Sequence, residues 1–192
     1  MEFVSHDDVA DMLGDYGIQE ISEGADKVYM RMQEGDGVVH LHLADKSCKC
    51  KPLKGAQVVP TAKDRLPATL GHILRALRLQ QVAAMPVGKW RKVFDAVAFS
   101  LANNHAWQDM DATATVELNT RDPLLCEPAD IHLLMEMIGA LLRDAETPDQ
   151  GLMFVALTSP VLVEVVPDGA VRISVGSHAL ADEVCETFAK KA

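Results

Sequence analysis

The segment "GLMFVALTSPVLVEVV", residues 151–166, is the longest apolar stretch of the chain. A Thr-Ser-Pro turn at 158–160 and Glu164 interrupt it, so it is unsuited to crossing a membrane. We interpret it as two buried strands. In the second strand, 161–166, Val161, Val163 and Val165 point one way and Leu162 and Val166 point the other, which is typical of a strand covered on both faces. Helices of the same chain or the matching sheet of a second subunit could supply the second cover.

Shorter strands and amphipathic helices surround this stretch. Helical spacing and capping residues predict helices after Ser5, at 66–84, 89–104 and 127–143, and after Ser177. Alternation and turn residues predict strands at 27–32, 38–44, 48–53, 111–119, 152–158, 161–166 and 170–175, with 18–22 as a candidate for one more. We therefore predict an α+β fold in which amphipathic helices pack against antiparallel sheet.

The order of elements, helix with strands and then helix, occurs twice along the chain. This rhythm predicts an N-terminal half at 1–86 and a C-terminal half at 87–192, either separate or joined in one continuous domain. The amino-acid sequence itself does not repeat along with this order of elements, so the two halves are only loosely similar.

The composition is that of an ordinary globular protein, with 48% hydrophobic and 24% charged residues. The first dozen residues are acidic and contain no secretory signal pattern, which favours a cytoplasmic protein without a membrane segment. Because the cytoplasm is reducing, we expect the four cysteines to be free thiols.

The net charge of −10 is unevenly distributed along the chain. Residues 46–92 hold 11 of the 18 basic residues and one acid, Asp64, so this basic middle segment carries +10 and the remainder −20. Such asymmetry indicates an anionic partner, or neutralisation within the fold or across a dimer. No aromatic platform accompanies the basic residues, which argues against nucleic acid. The candidate partner-binding residues are Arg75, Arg78, Lys89, Arg91 and Lys92.

The candidate metal ligands are His40, His42, Cys48 and Cys50, in the stretch "GVVHLHLADKSCKCKP" at 37–52. If 38–44 and 48–53 form a hairpin with an even loop, the cysteines lie opposite leucines in the core and the histidines face outward. An odd loop would place His42 opposite Cys50 and suit zinc, with copper(I) as the second metal. The loop "DKS" lacks the glycine that a three-residue loop favours, so we predict a structural hairpin without metal.

Other candidates have simpler explanations. His132 and Glu136 have i, i+4 spacing on a helix but lie beside its apolar stripe, which favours a solvated pair. Met30 and Met32 alternate on a strand, which favours core filling over the alternative of an adaptable binding surface. No phosphate-binding, dinucleotide, zinc-protease or nucleophile-elbow motif is present in the sequence, so we predict no catalytic residue and no cofactor.

The element order at 6–84, with a helix beginning "RLPATLGHILRAL" at 65–77, resembles the small acidic type III secretion-chaperone-like α+β domains. The passage "DATATVELNTRDPLLCEPADIHLLMEMIGALL", 111–142, is similar to the second part of that pattern, whereas the strands at 152–175 depart from it. The resemblance implies a homodimer that grips extended or partly folded segments of another protein. It rests on element order, so no functional residue is transferred from it.

The sequence therefore favours a non-enzymatic, cytoplasmic, protein-binding or chaperone-like homodimer. The alternative is an enzyme that binds a small molecule, an anion or a metal near the basic middle segment 46–92.

Overall fold

The computed structural model describes residues 2–23, 28–88, 123–144 and 150–189. The strands are β1 Glu2–Phe3, β2 Ile18–Ser22, β3 Val28–Met32, β4 Val39–Ala44, β5 Gln57–Pro60, β6 Val82–Gly88, β7 Leu124–Cys126, β8 Gln150–Ala156, β9 Val161–Val166 and β10 Ala170–Val175. The helices are α1 His6–Leu13, α2 Leu66–Ala76, α3 Ile131–Asp144 and α4 His178–Ala189. The predicted α+β class is confirmed. The predicted helix 89–104 and strand 111–119 lie outside the described residues.

Eight strands form one sheet in the order β1-β7-β6-β8-β9-β10-β4-β5. Every neighbouring pair is antiparallel except β4 and β5, which are parallel. The apolar stretch 151–166 supplies the two predicted strands, β8 and β9, and the structure places them at the centre of the sheet. The sheet includes strands from both predicted halves, and β6 crosses the predicted boundary at residues 86 and 87.

The helices α2, α3 and α4 cover one face of this sheet. Leu41, Phe154, Val163 and Ile173 belong to the same buried cluster as the apolar residues of these helices. The α2 and α3 helices approach closely at Gly71, where a β-carbon would overlap the side chain of Met135. None of the helices in the described part of the chain is long and apolar enough to cross a bilayer.

The α1 helix and a separate two-stranded hairpin, β2–β3, cover the other face. Val9 and Leu13 of α1 and Met30 and Met32 of β3 share a buried cluster with Met85, Met153, Val155 and Leu162 of the sheet. The strand β9 is therefore covered on both faces by this chain itself. Met30 and Met32 fill core, as predicted, with only 2% and 4% of their surface exposed.

The predicted hairpin between 38–44 and 48–53 is wrong. The strand β4 pairs antiparallel with β10 and parallel with β5, and residues 48–53 form no strand. The Asp45 carboxylate accepts hydrogen bonds from the backbone N–H and the hydroxyl of Ser47, at 2.9 and 2.7 Å, and this side-chain turn leads the chain away from β4. Neither predicted register of His42 against the cysteines exists.

The predicted helix 66–84 is shorter than its apolar periodicity indicates. The α2 helix ends at Ala76, and Arg78 adopts a left-handed conformation with φ 50° that stops it. Residues 82–86 are buried in β6 instead, because they lie between β7 and β8 in the sheet. Pairing with distant strands thus overrides the helical pattern.

Candidate functional site

A cavity of about 570 Å³ lies between the β2–β3 hairpin and the sheet. Its first wall is residues 29–34, which are β3 and the two residues after it. Its floor is formed by side chains of β4, β6, β8, β9 and β10. Its second wall is Leu53 and Lys54, from the 45–56 segment that joins β4 to β5. We call this segment the disulfide loop, because Cys48 and Cys50 within it are joined in a disulfide.

The β3 wall presents the edge of a strand to the cavity. A cavity against one face of a strand would touch alternate residues, whereas all six residues from Tyr29 to Glu34 line this one. The strand β3 pairs with β2 along one edge, and no strand in the described part of the chain pairs with the other. The unpaired edge of β3 therefore borders the cavity.

The register of the hairpin identifies which backbone groups point toward that edge. The amide of Gln33 donates to the carbonyl of Gly17 at 2.8 Å, and Ile18 lies opposite Met32. In an antiparallel pair, hydrogen-bonded and non-hydrogen-bonded positions alternate. Met30 and Met32 are thus non-hydrogen-bonded positions, and their backbone N–H and C=O groups point away from β2.

The lining next to this edge is apolar and rich in methionine. Met30 and Met32 from the hairpin meet Met153 and Leu162 from the sheet, and all four side chains are buried. Leu53 on the opposite wall is 38% exposed. Thioether side chains are flexible and polarisable, so this lining can adapt to apolar groups of different shape.

The polar end of the cavity is organised by Arg172 on β10. Its Nη1 donates to the Glu164 carboxylate at 2.9 Å, and its Nη2 donates to the backbone carbonyl of Lys51 at 2.8 Å. Its Nε is buried and has no hydrogen-bond partner among the described residues. Arg172 therefore connects β9, β10 and the disulfide loop.

The two histidines of β4 stand beside Arg172 on the same face of the sheet. His40 lies opposite Ser174 and bonds its hydroxyl through Nδ1 at 2.8 Å, and its Nε2 is 3.8 Å from a Glu34 carboxylate oxygen. His42 lies opposite Arg172, is 3% exposed, and has an Nδ1 without a partner in the described ranges. Burial, followed by the positive charge of Arg172, lowers the pKa of His42, although Glu164 opposes this effect. His42 is therefore neutral at pH 7.

Comparison of this chain with protein-family models, curated proteins and solved structures yields no match. The assignment of the site consequently depends on its geometry alone.

The four candidate metal ligands do not form one site. His40 and His42 lie side by side, but Cys48 and Cys50 are joined in a disulfide within the loop that follows β4. Across the described ranges, no group of three or more His, Cys, Asp or Glu side chains is arranged to hold a metal ion. The expectation of free thiols is wrong for Cys48 and Cys50, whose α-carbons the bent loop brings to 5.6 Å, and holds for Cys126 and Cys185.

The candidate partner-binding residues lie away from the cavity where the structure describes them. Arg75 and Arg78 are exposed at the end of α2, and neither lines the cavity. Lys89, Arg91 and Lys92 fall outside the described residues. Of the described basic residues in the basic middle segment, Lys54 alone lines the cavity.

The remaining candidate pair is solvated, as predicted. His132 and Glu136 are both exposed, and His132 Nδ1 bonds the backbone carbonyl of Ala129 at 2.9 Å.

Sequence reasoning did not identify Arg172, Glu164 and Ser174 as site residues. One signal was available, because Arg172 and Glu164 are charged residues within otherwise apolar strands. A charge in a buried strand indicates a partner across the sheet, and here the two residues lie directly opposite each other.

Proposed function

We propose that the protein is a non-enzymatic, chaperone-like binding module that takes an extended segment of another protein into the cavity beside β3. The observation that carries this proposal is the edge of β3 with which no described strand pairs. It borders the cavity along residues 29–32, and residues 33 and 34 after the strand continue the same wall. A strand edge is a template for a further strand, and main-chain hydrogen bonding to such an edge is a recurring mode of peptide recognition.

Backbone groups provide the sequence-independent part of the binding. The outward N–H and C=O groups of Met30 and Met32 are placed to bond the main chain of an added strand, each bond contributing about 0.5–1.5 kcal/mol net. The six lining residues span roughly 20 Å at the usual rise of a strand. This length suits a segment of about six residues.

Side chains set the preference for sequence. Successive side chains of an added strand point to opposite faces, so every second residue of the segment meets the floor at Met153 and Leu162. The methionines accept apolar side chains of varied size, in the manner of promiscuous binding surfaces. The preferred occupant is therefore an extended segment with apolar residues at alternate positions.

The proposal includes a cytoplasmic homodimer. The surface that we assign to the dimer contact is the outer edge of β5, where Val58 is 54% exposed. In this reducing compartment Cys126 and Cys185 stay free thiols, and the Cys48–Cys50 disulfide forms only transiently. Light scattering should report a dimer for the native protein and a monomer for Val58→Asp, and a monomer for both would refute the dimer.

A small-molecule ligand or substrate is the second candidate for the same cavity. Its volume of about 570 Å³ falls within the size range of ligand pockets, and polar groups converge at one end. Mass spectrometry of compounds released on denaturing natively purified protein distinguishes the candidates. A stoichiometric small molecule supports the second candidate, whereas its absence together with peptide binding supports the first.

Titration with labelled peptides tests the proposal. The probes are peptides of about ten residues with apolar side chains at alternate positions, beside scrambled peptides in which those residues are consecutive. Leu53→Asp places a charge on the cavity wall and should weaken binding about tenfold. Met12→Asp changes a residue on α1 that is 50% exposed and does not line the cavity, so it is the matched control. Equal affinity of Leu53→Asp and Met12→Asp, or no preference for the alternating peptides, would overturn the proposal.

A further inference from the structure

We propose that the Cys48–Cys50 disulfide is a thiol-exchange site that controls the cavity wall. In its oxidised form the disulfide holds Leu53 and Lys54 against the cavity, and reduction releases them. The exchange reaction is inferred from the geometry of the loop alone. Its effect on ligand affinity rests on the proposed function.

The disulfide is accessible, and three lysines lie close to its cysteines along the chain. Cys48 and Cys50 are half-buried in a surface loop, and neither is enclosed in the core. Lys46, Lys49 and Lys51 are exposed, and each lies within two residues along the chain of Cys48 or Cys50. Positive charge stabilises a departing thiolate, which favours exchange at this position.

The covalent link adds little to the stability of the fold as a whole. It closes a loop of only three residues, and the constraint that a disulfide places on the unfolded chain grows with loop length. Its effect is therefore local to the segment that contains it.

Two connections hold the middle of the disulfide loop. The start of the loop is fixed by the Asp45 turn, in which the amide of Cys48 also donates to the carbonyl of Asp45 at 3.0 Å. The end is fixed by the bond from the amide of Ala56 to the carbonyl of Leu53 at 3.1 Å, with Gly55 in the left-handed conformation at φ 76°. Between them, the disulfide and the hydrogen bond from Arg172 Nη2 to the carbonyl of Lys51 hold residues 49–52.

These two connections depend on each other. The disulfide holds the α-carbons of Cys48 and Cys50 5.6 Å apart, and the carbonyl that Arg172 binds belongs to the residue after Cys50. Once Cys50 is no longer linked to Cys48, the hydrogen bond from Arg172 to the Lys51 carbonyl must hold residues 49–52 without the covalent link. Leu53 and Lys54 follow directly and line the cavity, so the wall loosens when the disulfide opens.

The exchange is a two-electron reaction with a small thiol, RSH. A thiolate attacks one cysteine sulfur, forms a mixed disulfide with it and expels the other cysteine as a thiolate. A second RSH attacks the mixed disulfide, so that two RSH are oxidised to RSSR while the cysteine pair takes up two electrons and two protons. The disulfide RSSR drives the reverse reaction.

The first test follows the exchange in the full-length protein by alkylation and mass spectrometry in buffers of reduced and oxidised glutathione. We expect Cys48 and Cys50 to become labelled together as the buffer becomes reducing. Hydrogen exchange at residues 49–54 should then accelerate about tenfold or more, while β8 and β9 keep their protection. The double variant Cys48→Ser, Cys50→Ser should exchange rapidly in both buffers, and Cys185→Ser should behave as the native protein.

The second test measures affinity for the alternating peptides in both redox states. We expect the oxidised protein to bind about tenfold more tightly than the reduced protein or the double serine variant, since Leu53 contributes only from the ordered wall. Unchanged hydrogen exchange at 49–54 on reduction would overturn the thiol-exchange inference even if peptides bind. Absence of peptide binding would refute the proposed function, and the loop measurement would still decide on the switch.

Discussion

Arg172 donates a hydrogen bond from Nη2 to the backbone carbonyl of Lys51 at 2.8 Å, and this bond attaches the disulfide loop to the sheet. The same guanidinium binds Glu164 at 2.9 Å on the neighbouring strand. The Arg172 side chain thus fixes Glu164 at the polar end of the cavity and also attaches the disulfide loop, which forms one cavity wall. This double role explains why a charged residue occupies an otherwise apolar strand.

Arg172→Lys should loosen the disulfide loop. An ammonium group cannot reproduce the two separate bonds of the guanidinium, so we expect a loss of about 1–3 kcal/mol in the free energy of unfolding. Urea denaturation measures the loss, and hydrogen exchange should accelerate at residues 49–54. Arg75→Lys, at an exposed position on α2, is the control and should change neither quantity. Equal stability of the two variants would contradict the role assigned to Arg172.

The lowered pKa of His42 predicts that the fold is destabilised by mild acid. Below pH 6.5 the unfolded chain takes up a proton at His42 that the folded protein does not, so the unfolded state is favoured as the pH falls from 6.5 toward the folded pKa. Urea denaturation between pH 7.5 and 5.5 should show stability falling with pH. His42→Gln should reduce this dependence, whereas His132→Gln, at an exposed position, should retain it. An NMR titration that places the pKa of His42 above 6.5 would refute this account.

Truncation of Met30 should detach the hairpin from the sheet. Its side chain is 2% exposed and belongs to the cluster that joins β3 to β6, β8 and β9. Met30→Ala should cost about 2–5 kcal/mol of unfolding free energy, as is usual for a buried methionine. Met12→Ala, at a position that is 50% exposed, should cost less than about 0.5 kcal/mol. Similar costs for the two variants would show that the hairpin does not pack as described.

Reduction of the Cys48–Cys50 disulfide should change global stability only slightly. A loop of three residues corresponds to about 1–2 kcal/mol in the chain-entropy treatment of cross-links. The urea midpoints with and without a reductant measure this difference, and Cys185→Ser controls for effects at the other half-buried cysteine. A loss above about 4 kcal/mol would indicate that the disulfide stabilises the whole fold.

Local patterns in the sequence were sufficient to predict the strands at the centre of the sheet. The strands β9 and β10 follow from alternation and the Pro167–Gly169 turn, and β8 from its apolar run. The helices α2 and α3 follow from apolar stripes, from Pro67 in the first turn of α2, and from Pro128 in the short 3₁₀ turn that leads into α3. Each of these signals lies within a few residues of the element that it predicts.

The site required information that no local pattern contains. His40 meets Ser174 across 134 residues of chain, and Arg172 meets Lys51 across 121, so strand order alone brings these groups together. The pattern "HLHLADKSCKC" suggested a hairpin because both segments alternate, yet the partners of β4 are β10 and β5. Pairing between distant strands decided which face the histidines occupy.

Hydrogen exchange at the amides of Met30 and Met32 tests the central claim most directly. Both amides point toward the unpaired edge of β3, whereas those of Tyr29 and Arg31 are hydrogen-bonding positions that face β2. Saturation with an alternating apolar peptide should slow exchange at Met30 and Met32 about tenfold or more and leave Tyr29 and Arg31 unchanged. A peptide that binds without protecting Met30 and Met32 would contradict strand addition at β3.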